Sequence, residues 1–455
     1  MTTQDLPSYW LSLTPYKPGP PLRGDATVDV AICGGGYTGL WTAIFLKQAE
    51  PALRVAVLER EYVGFGASGR NGGFAMPLVH RSLAELARTL GDREAGALHR
   101  AAVGAVWSLR DFVIAQRIDC DMMPNGMLVV SNGPEQDARL EDELRTAARL
   151  GVDGLHFLDR AAVQAEIHSE TFRCGIAEEA CVLVNPAKLA RGLRDVAVRL
   201  GVAVHEGTPM TALRQEGRVV VLQTPGGRVT ADRVLLAANA YSSAFPELHQ
   251  YVLPFYTYIL LTRRLTDEEW ARIGWAKRQG LEDRRTFLHY PRPTIDGRIL
   301  WGGRDAAYHP DGPKPGYDLD PRVFARMEET FRQTFPQLRD VGFEHRWGGP
   351  IGVMARFIPA SGWLAGERVA YGFGYNGHGV APSHLNGQVL RDLLLGRKTD
   401  LLALPLVSRK PIAFPPGIIR DPLVRASVRA LQRCDDEGRP AREPFLLRTL
   451  NRLFG

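Results

Sequence analysis

A short apolar run, Val28-Asp29-Val30-Ala31-Ile32-Cys33, leads straight into Gly34-Gly35-Gly36-Tyr37-Thr38-Gly39, and no other stretch constrains the fold of this chain so tightly. Leu40 to Gln48 follow with apolar residues at helical spacing. Arg54-Val55-Ala56-Val57-Leu58 then forms a second apolar run, ending at Glu59. Strand, glycine turn, helix and strand within about thirty residues make one βαβ unit. In that setting the Gly34-x-Gly36-x-x-Gly39 spacing has a physical reading. Gly34 permits the tight turn, Gly36 lets backbone approach a pyrophosphate, and Gly39 allows close helix–strand packing. The helix N-terminus offers unpaired N–H groups to the phosphates, and Glu59, about 20 residues on, is placed to accept from a ribose diol. A dinucleotide site is expected, and the motif alone does not separate FAD from NAD.

The next segment, Gly66-Ala67-Ser68-Gly69-Arg70-Asn71-Gly72-Gly73, has the small residues that let main-chain N–H groups crowd around an anion. A bare NAD site needs no such loop. Beyond it, helical periodicity covers Ser82 to Leu90, His99 to Ala115, Glu135 to Leu150 and Pro186 to Leu200. Strand-like runs appear at Met127–Ser131, Val202–Glu206, Val219–Thr224 and Arg233–Ala237. From about Tyr251 to Arg346 the texture changes. Aromatic and apolar runs (Tyr256–Thr262, Phe287–Tyr290, Ile299–Gly303) broken by Pro and Gly suit an antiparallel sheet, with a helix expected over Pro321 to Phe335. Late in the chain, Gly372-Phe373-Gly374-Tyr375-Asn376-Gly377-His378-Gly379 runs into a helix from Pro382 to Leu395.

At 455 residues the chain exceeds the roughly 250–300 residues of one core, so two domains are expected. The fold class read from this pattern is α/β: a discontinuous Rossmann-like nucleotide-binding domain plus an inserted α+β substrate domain with a large, mostly antiparallel sheet. The first is assigned to residues 1–85, 151–245 and 346–404, the second to 86–150 and 246–345, and a C-terminal extension to 405–455.

Together the βαβ opening, GFGASGRNGG and YGFGYNGHGVAPSHLNGQVL resemble the D-amino-acid oxidase superfamily of flavoproteins, and within it the gamma-glutamylputrescine oxidase branch. The likeness runs from Pro7-Ser8-Tyr9-Trp10 to about Gly396, through VNPAKLARGL at 184–193 and VLLAANAYS at 234–242. It implies FAD as cofactor. Gly34, Gly36 and Gly39, with Tyr37 and Thr38 between them, would hold the pyrophosphate, and Glu59 with Arg60 would frame the adenosine ribose. Ala67, Ser68, Arg70, Asn71, Gly72 and Gly73 would surround the pyrophosphate, the ribityl chain and one edge of the flavin ring. Met210 would meet adenine through its backbone, Ala238 and Asn239 would close the groove, and Gly374, Asn376, Gly377, His378, Gly379 and Val380 would wrap the pyrimidine end. Donors and a helix N-terminus there would stabilise the negative charge that flavin reduction builds.

Departures from the resemblance carry as much weight. Relatives that attach FAD through histidine resemble GxTxHxAG where this chain has Gly66-Ala67-Ser68-Gly69, and no Cys lies between Cys181 and Cys434, so FAD is expected to be non-covalent. Amino-acid oxidases of the superfamily carry an arginine in a WxGLRP-like stretch, where it takes the substrate carboxylate. Here the stretch is Trp347-Gly348-Gly349-Pro350-Ile351-Gly352, and Arg356 stands five residues too far on. The lysine that sarcosine oxidases place before a strand glycine is replaced by Leu300 or Trp301. The substrate face is expected from the inserted domain: Tyr256, Tyr258, His289, Tyr290, Trp301 and Arg304, with Arg70, Tyr258, Trp301 and Arg304 closest to the chemistry and Arg356 beside the substrate. The expected activity is hydride transfer from the α-carbon of a primary or N-alkylated amine, bearing a distal acidic group, to the flavin. The imine then hydrolyses to aldehyde plus amine or ammonia. O2 or another acceptor would reoxidise the flavin. Oxidation of an N-methyl or D-amino acid, a nicotinamide-dependent dehydrogenase and a non-catalytic flavin-binding protein are the alternatives.

Composition excludes other classes. Lys plus Arg number 56 against 50 Asp plus Glu, with no sustained basic run, so nucleic-acid binding is not expected. The N-terminus has no signal-peptide pattern and no stretch reaches the roughly 18 apolar residues of a membrane span. Five dispersed cysteines form no CxxC, so neither a metal site nor a disulfide framework is expected and a cytoplasmic, soluble protein is. The cationic helix expected over Pro422–Arg433 carries no cofactor motif, and membrane contact through it is not expected.

Overall fold

In the computed structural model, residues 8–13, 15–79, 82–364 and 366–437 are described. Pro7, and 438–455 of the C-terminal extension, lie outside them. The opening βαβ unit forms as its spacing requires. Strand Ala26–Cys33 pairs in parallel with Val55–Leu58 on one side and with Gly227–Leu236 on the other. Outward from these lie parallel strands Ala203–His205 and Val369–Phe373, an antiparallel edge strand Ala360–Trp363, and a hairpin, Ala212–Glu216 and Val219–Thr224, on Gly227–Leu236. Strand order therefore reverses at the C-terminal end of Ala26–Cys33, the place where an open parallel sheet leaves a crevice. Helices Tyr37–Ala49, Pro186–Arg199 and Val380–Leu395 bury apolar stripes against this sheet, and Asp92–Ala115 packs on Val380–Leu395 behind them. Ile32, Val57, Leu40, Ile44, Val106, Leu189 and Leu390 share one core.

A second layer is built from two four-stranded sheets. One runs Arg292–Pro293, Ile299–Tyr308, Leu253–Thr262, Phe343–Val353, all antiparallel. The other runs Gly280–Asp283, Met127–Val130, Gly175–Glu178, Leu155–Leu158. Residues 288–291 join them. Leu281 and Asp283 donate to the Pro291 and His289 carbonyls, while Tyr290 donates to Gly302 O and Arg304 to Leu288 O. The expected strand Phe287–Tyr290 is corrected here: Thr286 and Phe287 form a turn, and only His289 makes a bridge, to Gly303. The helix Pro321–Thr334, started by the Asp320 carboxylate on Arg322 N–H, packs Phe324, Met327 and Phe331 onto one side of the antiparallel sheet.

The C-terminal helix spans Gly417–Asp436 rather than starting at Pro422, which sits inside it. It lies along Ile299–Tyr308 and shares a small apolar core, through Val424, with Leu253, Phe255 and Tyr308. Among the described residues no helix is long and apolar enough to cross a membrane.

Candidate active site

A cavity of about 570 Å³ opens at the reversal point of the parallel sheet and extends beneath the antiparallel sheet to the C-terminal helix. At its inner end Gly34, Gly36, Tyr37, Thr38, Glu59, Arg60 and Ser68 line the wall. Gly34 has φ +118°, and a Cβ there would stand 2.6 Å from the Ala237 carbonyl. Gly36 is the N-cap of Tyr37–Ala49 and supplies no side-chain cap. The Glu59 carboxylate accepts from the N–H groups of Gly35 (2.7 Å) and Glu61 (3.0 Å), while burial raises its pKa. The Arg60 guanidinium lies 4.8 Å from the Tyr241 ring centre, and Met210, Ala238 and Asn239 line the same end. Gly39, Gly73 and Gly374 do not line the cavity, contrary to expectation. A side chain on them would collide with the Gly34 carbonyl, the Val184 carbonyl and the Met354 side chain, so each is a packing glycine one layer behind the wall.

Loop 66–73 is held from outside. Ser8 Oγ donates to Gly69 O (2.7 Å), Trp347 Nε1 to Arg70 O (2.8 Å) and Trp10 Nε1 to Asn71 O (3.0 Å). The buried Arg292 guanidinium donates to Gly72 O (3.2 Å), Gly73 O (3.3 Å) and Val184 O (2.7 Å), and burial pulls its pKa down to about 10. Five successive carbonyls are thereby fixed outward, and Ala67, Ser68, Arg70, Asn71 and Gly72 face the cavity. Arg70 donates through Nε to Phe65 O (2.7 Å) and lies 4.8 Å over the Phe65 ring.

Opposite, Tyr375 to Val380 form the wall. Asn376 has φ +52°; its amide accepts from Met354 N–H (2.8 Å) and donates to Gly374 O (2.8 Å). Burial pushes His378 down to about 4, so its imidazole is neutral near pH 7. Helix Val380–Leu395 begins at Gly379, again without a side-chain cap. Two helix N-termini with glycine caps thus meet one elongated cavity, an arrangement suited to anionic groups.

The expected substrate face divides. Tyr290, Arg304 and Arg70 line the cavity; Tyr256, Tyr258, His289, Trp301 and Arg356 do not. Tyr256 and Tyr258 point to the opposite side of strand Leu253–Thr262 and donate to the Lys314 and Tyr317 carbonyls, while Leu253, Phe255, Thr257 and Ile259 face the cavity. Adjacent strand residues point to opposite faces, so a shift of one position moves the whole set. Trp301 is 1% exposed and packs on Phe331, with the His289 ring 4.5 Å away in the same core. Arg356 stands beside Arg409, outside the wall. Arg304 reaches the cavity because the pairing of the two strands slips between Thr257 and Ile259, giving a bulge in which Arg304 takes φ +77°. Its Nη2 pairs with Asp436 of the C-terminal helix, while Nε and Nη1 have no hydrogen-bond partner. Gly349, Pro350 and Ile351 line the cavity and bring no charge.

The DAO family profile, described as FAD dependent oxidoreductase, matches residues 29–393. The chain belongs to that family. It is 34% identical to the gamma-glutamylputrescine oxidoreductase of Escherichia coli (strain K12) over 399 residues, 87% of this chain and 90% of that one. A probable oxidoreductase, OrdL, of Rhizobium meliloti (strain 1021) is 32% identical over 90% of this chain and 92% of its own. Among solved structures, glycine oxidase from Geobacillus kaustophilus superposes with a TM-score of 0.72 at 18% identity, over 85% of this chain and all of that one, which shows a shared fold. This DAO-family chain is an FAD-dependent oxidoreductase acting on CH–NH or CH–NH2 donors. FAD fits the site: side-chain-free turns at Gly34 and Gly36, glycine-capped helix starts, and residues of loops 66–73 and 375–380 lining the same cavity.

Several residues of the site escape sequence reading. Glu282, Thr286, Phe287 and Leu288 line the cavity, as do Phe414, Val424, Ser427, Val428 and Leu431 from the C-terminal segment. The helical spacing of the last four over 417–436 was legible; that its apolar stripe covers a cavity was not. Arg292, one cation among several in the inserted region, gave no signal of its role as a clamp.

Proposed function

We propose that the chain oxidises a primary or N-alkylated amine carrying an acidic group at its far end, a γ-glutamyl carboxylate or a phosphonate being suitable chemistry. The observation that carries this reading is Arg304, 8% exposed, lining the cavity with two guanidinium nitrogens unpaired, while the Trp347–Gly352 stretch brings no cation to the wall. An anion is favoured far from the reacting carbon and not beside it. Similarity to the Escherichia coli gamma-glutamylputrescine oxidoreductase supports the same substrate class. FAD, held without a covalent bond, supplies a two-electron acceptor, so that the amine becomes an imine which water hydrolyses to aldehyde and amine or ammonia. The chain's part is orientation and dryness: Leu253, Phe255, Ile259, Val424, Val428 and Leu431 exclude water, and Arg304 holds the far end. Asp436 already neutralises part of that guanidinium, so the substrate anion shares it. Five free cysteines accord with a cytoplasmic setting.

Anaerobic bleaching of the flavin by pairs of amines of equal length, with and without a terminal acid, tests the reading. The acidic member should be the better substrate, and Arg304→Leu should lower its kcat/KM about tenfold, roughly 1.4 kcal/mol, with much less effect on the neutral one. Glycine, sarcosine or D-alanine emerging as best substrate, or equal losses for both amines, would refute it.

A further inference from the structure

Resting on the amine reading above, we propose that Glu282 holds the amino group of the substrate and takes its proton. Strand Gly280–Asp283 is buried along its whole length between Met127–Val130 and residues 289–291. Glu282 is 1% exposed and stands at a junction. On one side it lines the large cavity; on the other it lines a small chamber of about 30 Å³, room for about one water. The chamber's titratable walls are Glu143, Glu178, His99 and Arg284. Glu143 is already used: its carboxylate accepts from the N–H groups of Leu83 (2.8 Å) and Ala84 (3.0 Å) at a helix start. Arg284 stands 3.7 Å from Glu282 and 4.0 Å from Glu143, too far for a hydrogen bond to either. Glu282 Oε2 has no hydrogen-bond partner at all. Three carboxylates therefore face one guanidinium, and Glu282, the one whose residue lines both spaces, keeps a buried oxygen unsatisfied. A buried acceptor of that kind is costly unless a donor arrives, and a cationic donor satisfies it best.

An ammonium is that donor. At Glu282 its N–H bond breaks and an O–H bond forms, leaving a neutral amine and a carboxylic acid; no electrons move in this step. The freed lone pair is what the adjacent carbon needs to lose hydride. The groups facing Glu282 are Arg284, Asp283, Glu143, Glu178, His99 and Cys181. Burial outweighs Arg284 and lifts Glu282 to about 7 and Glu178 to about 8, a range in which a carboxylate can accept and release a proton near neutrality.

Calorimetric titration of the FAD-loaded enzyme with tert-butylammonium and with tert-butanol isolates binding, because neither carries a hydrogen on the substituted carbon. Wild type should prefer the ammonium at least tenfold at pH 8 and lose that preference toward pH 5; Glu282→Gln should show none. With an amine that bleaches wild type, Glu282→Gln should reduce its flavin at least a hundredfold more slowly at pH 8. The rise of kcat/KM through pH 7 should vanish, and Glu282→Asp should recover part of the rate. Equal binding of the two probes by wild type overturns the proposal even if Glu282→Gln does not fold. An unchanged rate and pH profile in Glu282→Gln overturns the base role alone, whereas no bleaching of wild type by any amine overturns the amine reading and the base role with it.

Discussion

Gly36 works with almost no clearance. Its Cβ would lie 3.0 Å from Ser68 Oγ, the atom that caps Tyr37 N–H at 3.0 Å, so one added carbon strains the contact and a branched side chain fills the space meant for phosphate. Gly36→Val should therefore purify with less than a tenth of wild-type FAD while keeping its far-ultraviolet circular dichroism; full occupancy would place the cofactor elsewhere. Residues like Gly36 are legible because their chemistry depends on backbone shape, and backbone shape leaves a spacing in the sequence. Tyr256 and Tyr258 show the opposite case. Strand Leu253–Thr262 is buried on both faces, so its near-continuous apolar run holds no alternation to say which set of side chains meets the cavity. Arg304 was readable as a cation in the right strand, but the bulge that turns it inward depends on Leu253–Thr262, a strand earlier in the chain, and its pairing with Asp436 on a residue 132 positions later.

Among the elements, the C-terminal helix contributes most that was not foreseen. Asp435 accepts from Thr286 N–H (3.0 Å) and Phe287 N–H (2.7 Å), and Gln432 donates to Asp305 (2.9 Å), so the helix ties down the turn and the bulge that both line the cavity. Its apolar stripe of Val424, Val428 and Leu431 forms the cavity wall between those ties. Hydrogen bonds to a carboxylate contribute about 1.5–3 kcal/mol each when shielded from water. Asp435→Ala should accelerate amide exchange at Thr286 and Phe287 at least tenfold by mass spectrometry, with strand Ala26–Cys33 unchanged. Equal protection in both proteins would mean that the turn holds itself.

Across the whole molecule, three helices distant in sequence meet at His384. Its side chain is 0% exposed, 4.6 Å from the Trp41 ring and 5.1 Å from Phe45, with Ser108 Oγ 3.4 Å from Nε2. Burial pushes its pKa down to about 4 from the usual 6.5. Since the unfolded chain takes up this proton first, stability is complete above about pH 6.5 and is lost as pH falls toward 4, by about 3 kcal/mol for this one group. Urea unfolding at pH 7.5 and 4.5, with saturating FAD, should show His384→Phe losing about 2–3 kcal/mol less than wild type across that interval. A parallel loss in both would assign the acid sensitivity to other groups.

The five outward carbonyls of loop 66–73 also impose an order in time. Their donors sit at Ser8, Trp10, Arg292 and Trp347, so a nascent chain that has just emitted its glycine turn owns the phosphate cradle and two of the five ties beneath it, but not the other three. The Gly72 and Gly73 carbonyls wait for Arg292, the Arg70 carbonyl waits for Trp347, about three quarters of the way along the chain, and the wall at residues 375–380 comes later still. Flavin capture is thus deferred to the end of synthesis, and yellow colour in a cell extract reports chains that have closed on themselves, not merely chains that have begun to fold.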